Sequence, residues 1–130
     1  MRAQRLDVTT TLSVDRRLAI LAVAGELDLG TAEQLWPSLE RLLNPAPPTA
    51  AQSAAPEPPT PLDAVVLDAT GLEFLDSSGL RVLLRGARLA EDEGTAFRVV
   101  APNPVVQRVL ELSGAAHALD LRPSLAEAFA

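Results

Sequence analysis

The chain contains no cysteine, which excludes disulfide staples and thiolate catalysis. Histidine occurs once, at His117, so the usual zinc ligand sets cannot be assembled and no metal is expected. Lysine is missing as well: all 11 basic residues are arginine, set against 17 acids for a net charge of −6. That balance opposes a nucleic-acid ligand, because binding along a phosphate backbone draws its affinity from clustered cations. The arginine bias, beside abundant alanine and proline, reads as composition and not as function. No apolar run approaches the roughly 20 residues that cross a bilayer, so no membrane partner is expected. Met1-Arg2-Ala3-Gln4-Arg5 opens no apolar core with a small-residue cleavage site, which makes the cytoplasm the expected location. Neither G-x-x-x-x-G-K-[ST] nor G-x-G-x-x-G occurs, so no phosphate-cradling nucleotide site and no cofactor are expected.

What remains is the composition of one folded domain: 130 residues, 48% apolar and 22% charged. Leu6 to Val14 and Leu18 to Ala24 read as a hairpin broken at Asp15-Arg16-Arg17, and the second strand is apolar enough to be covered on both faces. A capping box, Thr31 with Gln34, predicts a helix carrying Leu35, Leu39, Leu42 and Leu43, with Pro37 expected to kink it or delay its start. Residues 45–61 hold seven prolines among small and polar residues, a composition that predicts a solvated connector without a packed core.

Ala64 to Ala69 predicts a third buried strand, followed by a loop over Thr70 to Ser78. The next helix carries Leu80, Leu83, Leu84 and Ala87 on one face and Arg81, Arg85, Arg88 and Asp92 on the other, and Gly94 ends it. Phe97 to Ala101 predicts a fourth strand, and Asn103 with Pro104 starts a helix bearing Val105, Val109, Leu110 and Leu112. A short strand over Ala118 to Leu121 and a last helix from Pro123-Ser124, with Glu127 completing a capping box, close the chain. Strands alternating with helices imply a largely parallel sheet, whose helix-feeding strand ends gather three loops: Gly25 to Gly30, Thr70 to Ser78 and Ala101 to Asn103.

Asp76-Ser77-Ser78-Gly79-Leu80 sits at that edge, with more capping side chains than a helix start needs. A serine nucleophile needs a base and a donor pair for the oxyanion; the sequence around Ser77 is not G-x-S-x-G, and the single histidine, His117, lies in the far C-terminal part and reads as a surface or packing residue. Glu26, Asp28, Asp68, Glu73 and Asp76 show no repeated ligand spacing and read as loop charges and caps. Two readings stay open from the residues alone: a redundant cap, or an exposed hydroxyl whose phosphorylation would add about −1.5 to −2 charges beside Asp76 and Asp28.

Gly25-Glu26-Leu27-Asp28 with Thr31-Ala32, then "VVLDATGLEFLDSSGLRVLL", then "FRVVAPNPVVQRVLELSGAAHAL" resemble, in order and spacing, the STAS domain of bacterial anti-sigma factor antagonists. The resemblance covers nearly the whole chain except the proline-rich connector. It implies an α/β fold, a mixed and mostly parallel sheet of about five strands with helices wound as a βα superhelix, in a single domain over 1–130 with an insert at 45–61. It implies a switch that is not an enzyme: the unphosphorylated protein binds an anti-sigma factor of the histidine-kinase-like ATPase fold and frees a sigma factor. In that family the serine directly after the aspartate is phosphorylated by the anti-sigma factor, a role that carries over to Ser77, and a serine phosphatase resets it. Asp28 matches the family's acidic residue beside the site. Glu26, Asp28, Asp76, Ser77, Ser78, Gly79, Arg81, Arg85 and Asn103 form the expected partner surface of a monomer. Many members have glycine where this chain has Arg81, and the connector is usually short. The rival implied by the same resemblance is a STAS scaffold outside sigma control, for example in a lipid-transport complex.

Overall fold

Alternation in Leu6–Ser13 and the apolar run Leu18–Leu27 make an antiparallel pair, β1 and β2, joined by a turn in which Arg17 takes a positive φ of 51°. In the computed structural model, which describes residues 6–13, 16–44 and 62–128, β2 is followed by helix α1 (Ala32–Leu43), strand β3 (Ala64–Leu75) and helix α2 (Ser77–Glu93). Strand β4 (Ala96–Val100), helices α3 (Pro104–Leu112) and α4 (Ala115–Ala118), strand β5 (Asp120–Arg122) and helix α5 (Leu125–Ala128) complete it. The strands lie in the order β1-β2-β3-β4-β5; only β1 runs antiparallel to its neighbour. The expected mixed, mostly parallel five-strand sheet is therefore what the chain forms. The 45–61 connector lies outside the described residues, as does Val14.

Strand alternation divides the core in two. Ala19, Leu21, Val23, Val65, Leu67 and Val99 point to one face, where α1 to α4 add Leu35, Leu39, Leu83, Val106, Leu110 and Ala115. Leu18, Val66 and Val100 point to the other, where α5 covers them with Leu125 and Ala128. Two arginines fasten α5: Arg98 Nη1 donates to the Ala128 carbonyl at 2.8 Å and Arg122 Nη1 to that of Glu127 at 3.2 Å. Asp120 stands between these arginines, and its hydrogen bond from Arg122 holds its carboxyl below the usual carboxylate range.

Several boundaries differ from the sequence reading for identifiable reasons. β3 runs on to Leu75 instead of ending at Ala69, because two register shifts against β2 insert extra residues and break the alternation that marks a strand. Leu72 and Leu75, three apart, consequently both face the core. Pro37 does not delay the start of α1, which begins at Ala32 and runs on past an exposed Pro37 to Leu43. The buried stripe of α2 is Gly79, Leu83, Gly86 and Ala90, with Leu80, Leu84 and Ala87 at its margin. In α3, Val106 and Leu110 are buried while Val105 and Leu112 face solvent, so the packed face is rotated from the one read along the apolar stripe. Ala118 ends the short helix α4, and β5 starts only at Asp120.

Candidate functional site

β2 and β3 run in parallel to adjacent ends, pairing Glu26 with Phe74 and Leu27 with Leu75, so the chain leaves both strands at one place. Asp76 is the residue between β3 and α2, and its backbone N–H donates to the Leu27 carbonyl at 3.2 Å. Its extended backbone is that of a helix N-cap, and Oδ1 accepts from the N–H groups of Ser78 at 2.9 Å and Gly79 at 3.1 Å. The other oxygen, Oδ2, accepts from Leu29 N–H at 3.2 Å and ties the β2–α1 loop to the helix start. One side chain thus does all the capping. Ser77 is the first residue of α2 and exposed, and among the described residues no hydrogen bond engages its hydroxyl or that of Ser78.

Gly79 explains how the helix can begin so close to β2. A Cβ there would lie 2.6 Å from the Leu27 carbonyl oxygen and 2.7 Å from Leu27 Cγ, so only glycine lets α2 start against that strand end.

The facing loop is held by Asp28 and Thr31. Asp28 Oδ1 accepts from Gly30 N–H at 2.9 Å and Thr31 N–H at 3.2 Å, and its carbonyl accepts from Ala32 N–H at 2.8 Å. Thr31 is buried; its hydroxyl donates to the Glu26 carbonyl at 2.8 Å and accepts from Asp28 N–H at 2.9 Å. The expected Thr31–Gln34 capping box does not form, because Thr31 has near-helical backbone angles (φ −117°, ψ −13°) and makes no side-chain cap bond. The threonine fixes this loop through Glu26 and Asp28 instead of capping α1.

Around this junction the surface is apolar beside the charge. Leu29 is 77% exposed and Phe74 is 44% exposed. Leu29, Ala32, Glu33, Ser78 and Arg81 line a groove of about 200 Å³ between the loop, α1 and α2. Neither Leu29 nor Phe74 was singled out from the sequence; an isolated apolar residue within a loop or a bulged strand carries no periodic signal. Arg85 reaches the same groove but stacks on Trp36 of α1, its guanidinium 4.0 Å from the ring centre. The structure therefore brings Asp28, Asp76, Ser77, Ser78, Gly79 and Arg81 together, with Glu26 one residue behind on β2.

Asn103 is placed differently. β3 continues seven residues past its last pairing with β4, at Asp68 and Val100, whereas Asn103 follows that pairing by three, so the two helix caps stand at different heights along the sheet. Asn103 Oδ1 accepts from Val105 N–H at 2.8 Å, capping its own helix. His117 shares a groove with Arg88 and Glu91 on α2, and Arg88 lies roughly 16 Å along the helix axis from Ser77, too far for a catalytic base. Among the described residues, no three acidic or histidine side chains gather to hold a metal ion.

A family model described as the STAS domain matches residues 7–128. The chain belongs to the STAS domain family. This STAS domain is 30% identical, over 110 residues, to the anti-sigma-F factor antagonist RsfB of Mycobacterium tuberculosis, covering 83% of this chain and 75% of that protein. Its structure matches the crystal structure of an anti-sigma factor antagonist from Mycobacterium paratuberculosis at a TM-score of 0.71 and 28% identity, covering 95% of this chain and 92% of the other. The fold is also that of SpoIIAA of Bacillus: TM-scores are 0.68 for the unphosphorylated form (20% identical) and 0.61 for the phosphorylated form (21% identical), over 95% of this chain and 93% and 96% of those chains.

Proposed function

We propose that the protein is an anti-sigma factor antagonist controlled at Ser77. Unphosphorylated, it binds an anti-sigma factor serine kinase of the histidine-kinase-like ATPase fold and so releases a sigma factor. The observation that carries the reading is the division of labour at the start of α2: Asp76 accepts both first-turn N–H bonds, leaving the exposed Ser77 hydroxyl without a structural task. The kinase transfers the γ-phosphoryl group of ATP to Ser77 Oγ; the new Oγ–P bond replaces the bond to ADP, and a base on the kinase takes the serine proton. A serine phosphatase hydrolyses the ester. The protein itself supplies no catalysis, acts as a cytoplasmic monomer and docks through Glu26, Asp28, Asp76, Ser77, Ser78, Arg81 and Arg85, with Leu29 and Phe74 as apolar contacts, while Gly79, buried against Leu27, shapes the surface without touching the partner; the similarity to RsfB supports an anti-sigma factor as that partner.

The physical basis of the switch is desolvation. Docking removes water from the junction, and a dianion beside Asp76 and Asp28 would have to be buried against the partner without a guaranteed cation. The test is a titration of the anti-sigma factor with three proteins. Wild type and Ser77→Ala bind alike, since loss of an unbonded surface hydroxyl changes little, whereas Ser77→Glu loses at least tenfold in affinity. Tight binding by Ser77→Glu would contradict control by charge at Ser77, and failure of the wild type itself to bind would favour a scaffold outside sigma control.

A further inference from the structure

Phosphate on Ser77 would meet an unusual set of neighbours. Free N–H groups at a helix start normally receive an anion, but here Ser78 and Gly79 already donate to Asp76 Oδ1 and Leu80 N–H donates to the Asp76 carbonyl at 2.9 Å, which leaves, among the first four, the N–H of Ser77 itself. The nearby acids are Asp76 itself, Asp28 on the loop that Leu29 joins to Asp76, and Glu33 on the groove wall. Two cations face the groove, Arg81 and Arg85, and Arg85 rests on Trp36. Arg81 is exposed and, among the described residues, takes part in no hydrogen bond or ion pair.

We propose that Arg81 is the internal partner of a phosphate on Ser77, engaging it in the modified protein and facing the anti-sigma factor in the unmodified one. This rests on the reading of Ser77 as the modified residue. Arg81 is four residues after Ser77, a spacing that places two side chains on the same helix face, and helical side chains lean toward the N-terminus, so the longer one reaches back over the first turn. The planar guanidinium fork matches phosphate oxygens in pairs. A phosphate at the first helical position is favoured by the helix dipole, and Arg81, the fifth residue and just past the first turn, adds a cation on the same face. Modification then changes the surface twice: it adds negative charge at Ser77 and withdraws the Arg81 cation from the partner.

The experiment installs phosphoserine at position 77 during translation, so that no kinase is needed, and titrates the phosphate by ³¹P NMR in the wild-type background, in Arg81→Gln and in Arg85→Gln. With Arg81 present the second phosphate pKa, near 6 in free phosphoserine, is expected to lie roughly 0.2–0.7 unit lower than in Arg81→Gln at low salt. The difference shrinks as salt screens the pair. Arg85→Gln should leave the titration where the wild type has it. The phosphorylated wild type should also melt above phosphorylated Arg81→Gln, while the two unmodified proteins melt together. Identical titration with and without Arg81, or a shift that follows Arg85, overturns the assignment. A kinase that leaves Ser77 unmodified would contradict the proposed function without touching this result.

Discussion

Gly79 is the residue on which the geometry of the junction is most exposed to test. Its missing Cβ leaves room for a backbone carbonyl, Leu27 O, which cannot swing aside as a side-chain tip can. Gly79→Ala is therefore expected to cost about 1–3 kcal/mol, read as a lower urea midpoint with an unchanged slope. The opposite result, an alanine variant as stable as wild type, would mean that α2 does not start against β2 as described. The residues most legible in the sequence were those with a local rule. Asn103-Pro104 marks a helix start by composition alone, whereas Asp76, Ser77 and Ser78 all fit the cap of α2 and only the hydrogen bonds single out Asp76. Thr31 was misread for the same reason: its local pattern fits a capping box, but the loop's own Asp28 takes the N–H groups and turns the hydroxyl toward Glu26.

At the scale of the elements, the sequence is informative where burial follows residue size and misleading where it does not. α2 packs through Gly79, Gly86 and Ala90, and a Cβ at Gly86 would stand 3.4 Å from Leu39 Cδ1; a reading that seeks large apolar residues turns this helix toward Leu80 and Leu84. β3 was cut short because its two register shifts erase the period of two, and only the pairing with β2 restores Gly71 to Leu75 as strand. The arginine stripe likewise separates once its neighbours are known. Arg85→Ala removes the stacking on Trp36 and is expected to lower stability by about 0.5–1 kcal/mol, while Arg81→Ala should leave it within about 0.5 kcal/mol of wild type. Equal effects in thermal melts of the two variants would contradict that separation.

For the whole molecule, a mixed and mostly parallel sheet was readable from a hairpin followed by alternating helices and strands, whereas the sequential strand order β1 to β5 comes from the structure, since alternation also permits other orders. The gathering of β2 and β3 ends into one site followed from that topology; the different height of Asn103 did not, since it depends on how far β3 outruns β4. We propose that residues 45–61 connect α1 to β3 without contributing to the domain's core, on their composition. Replacing them with a short Gly/Ser loop should change the stability by less than about 1 kcal/mol, because closure entropy grows slowly with loop length. A larger loss in chemical denaturation would assign the segment a packed role.

The proposed switch turns on one hydroxyl. Incubation of the protein with a kinase-competent anti-sigma factor and ATP, followed by mass-spectrometric mapping of the phosphate, tests it most directly. One phosphate is expected on Ser77 in the wild type and in Ser78→Ala, and none in Ser77→Ala. Phosphate confined to Ser78, or no phosphate in any of the three while the complex forms, would contradict it.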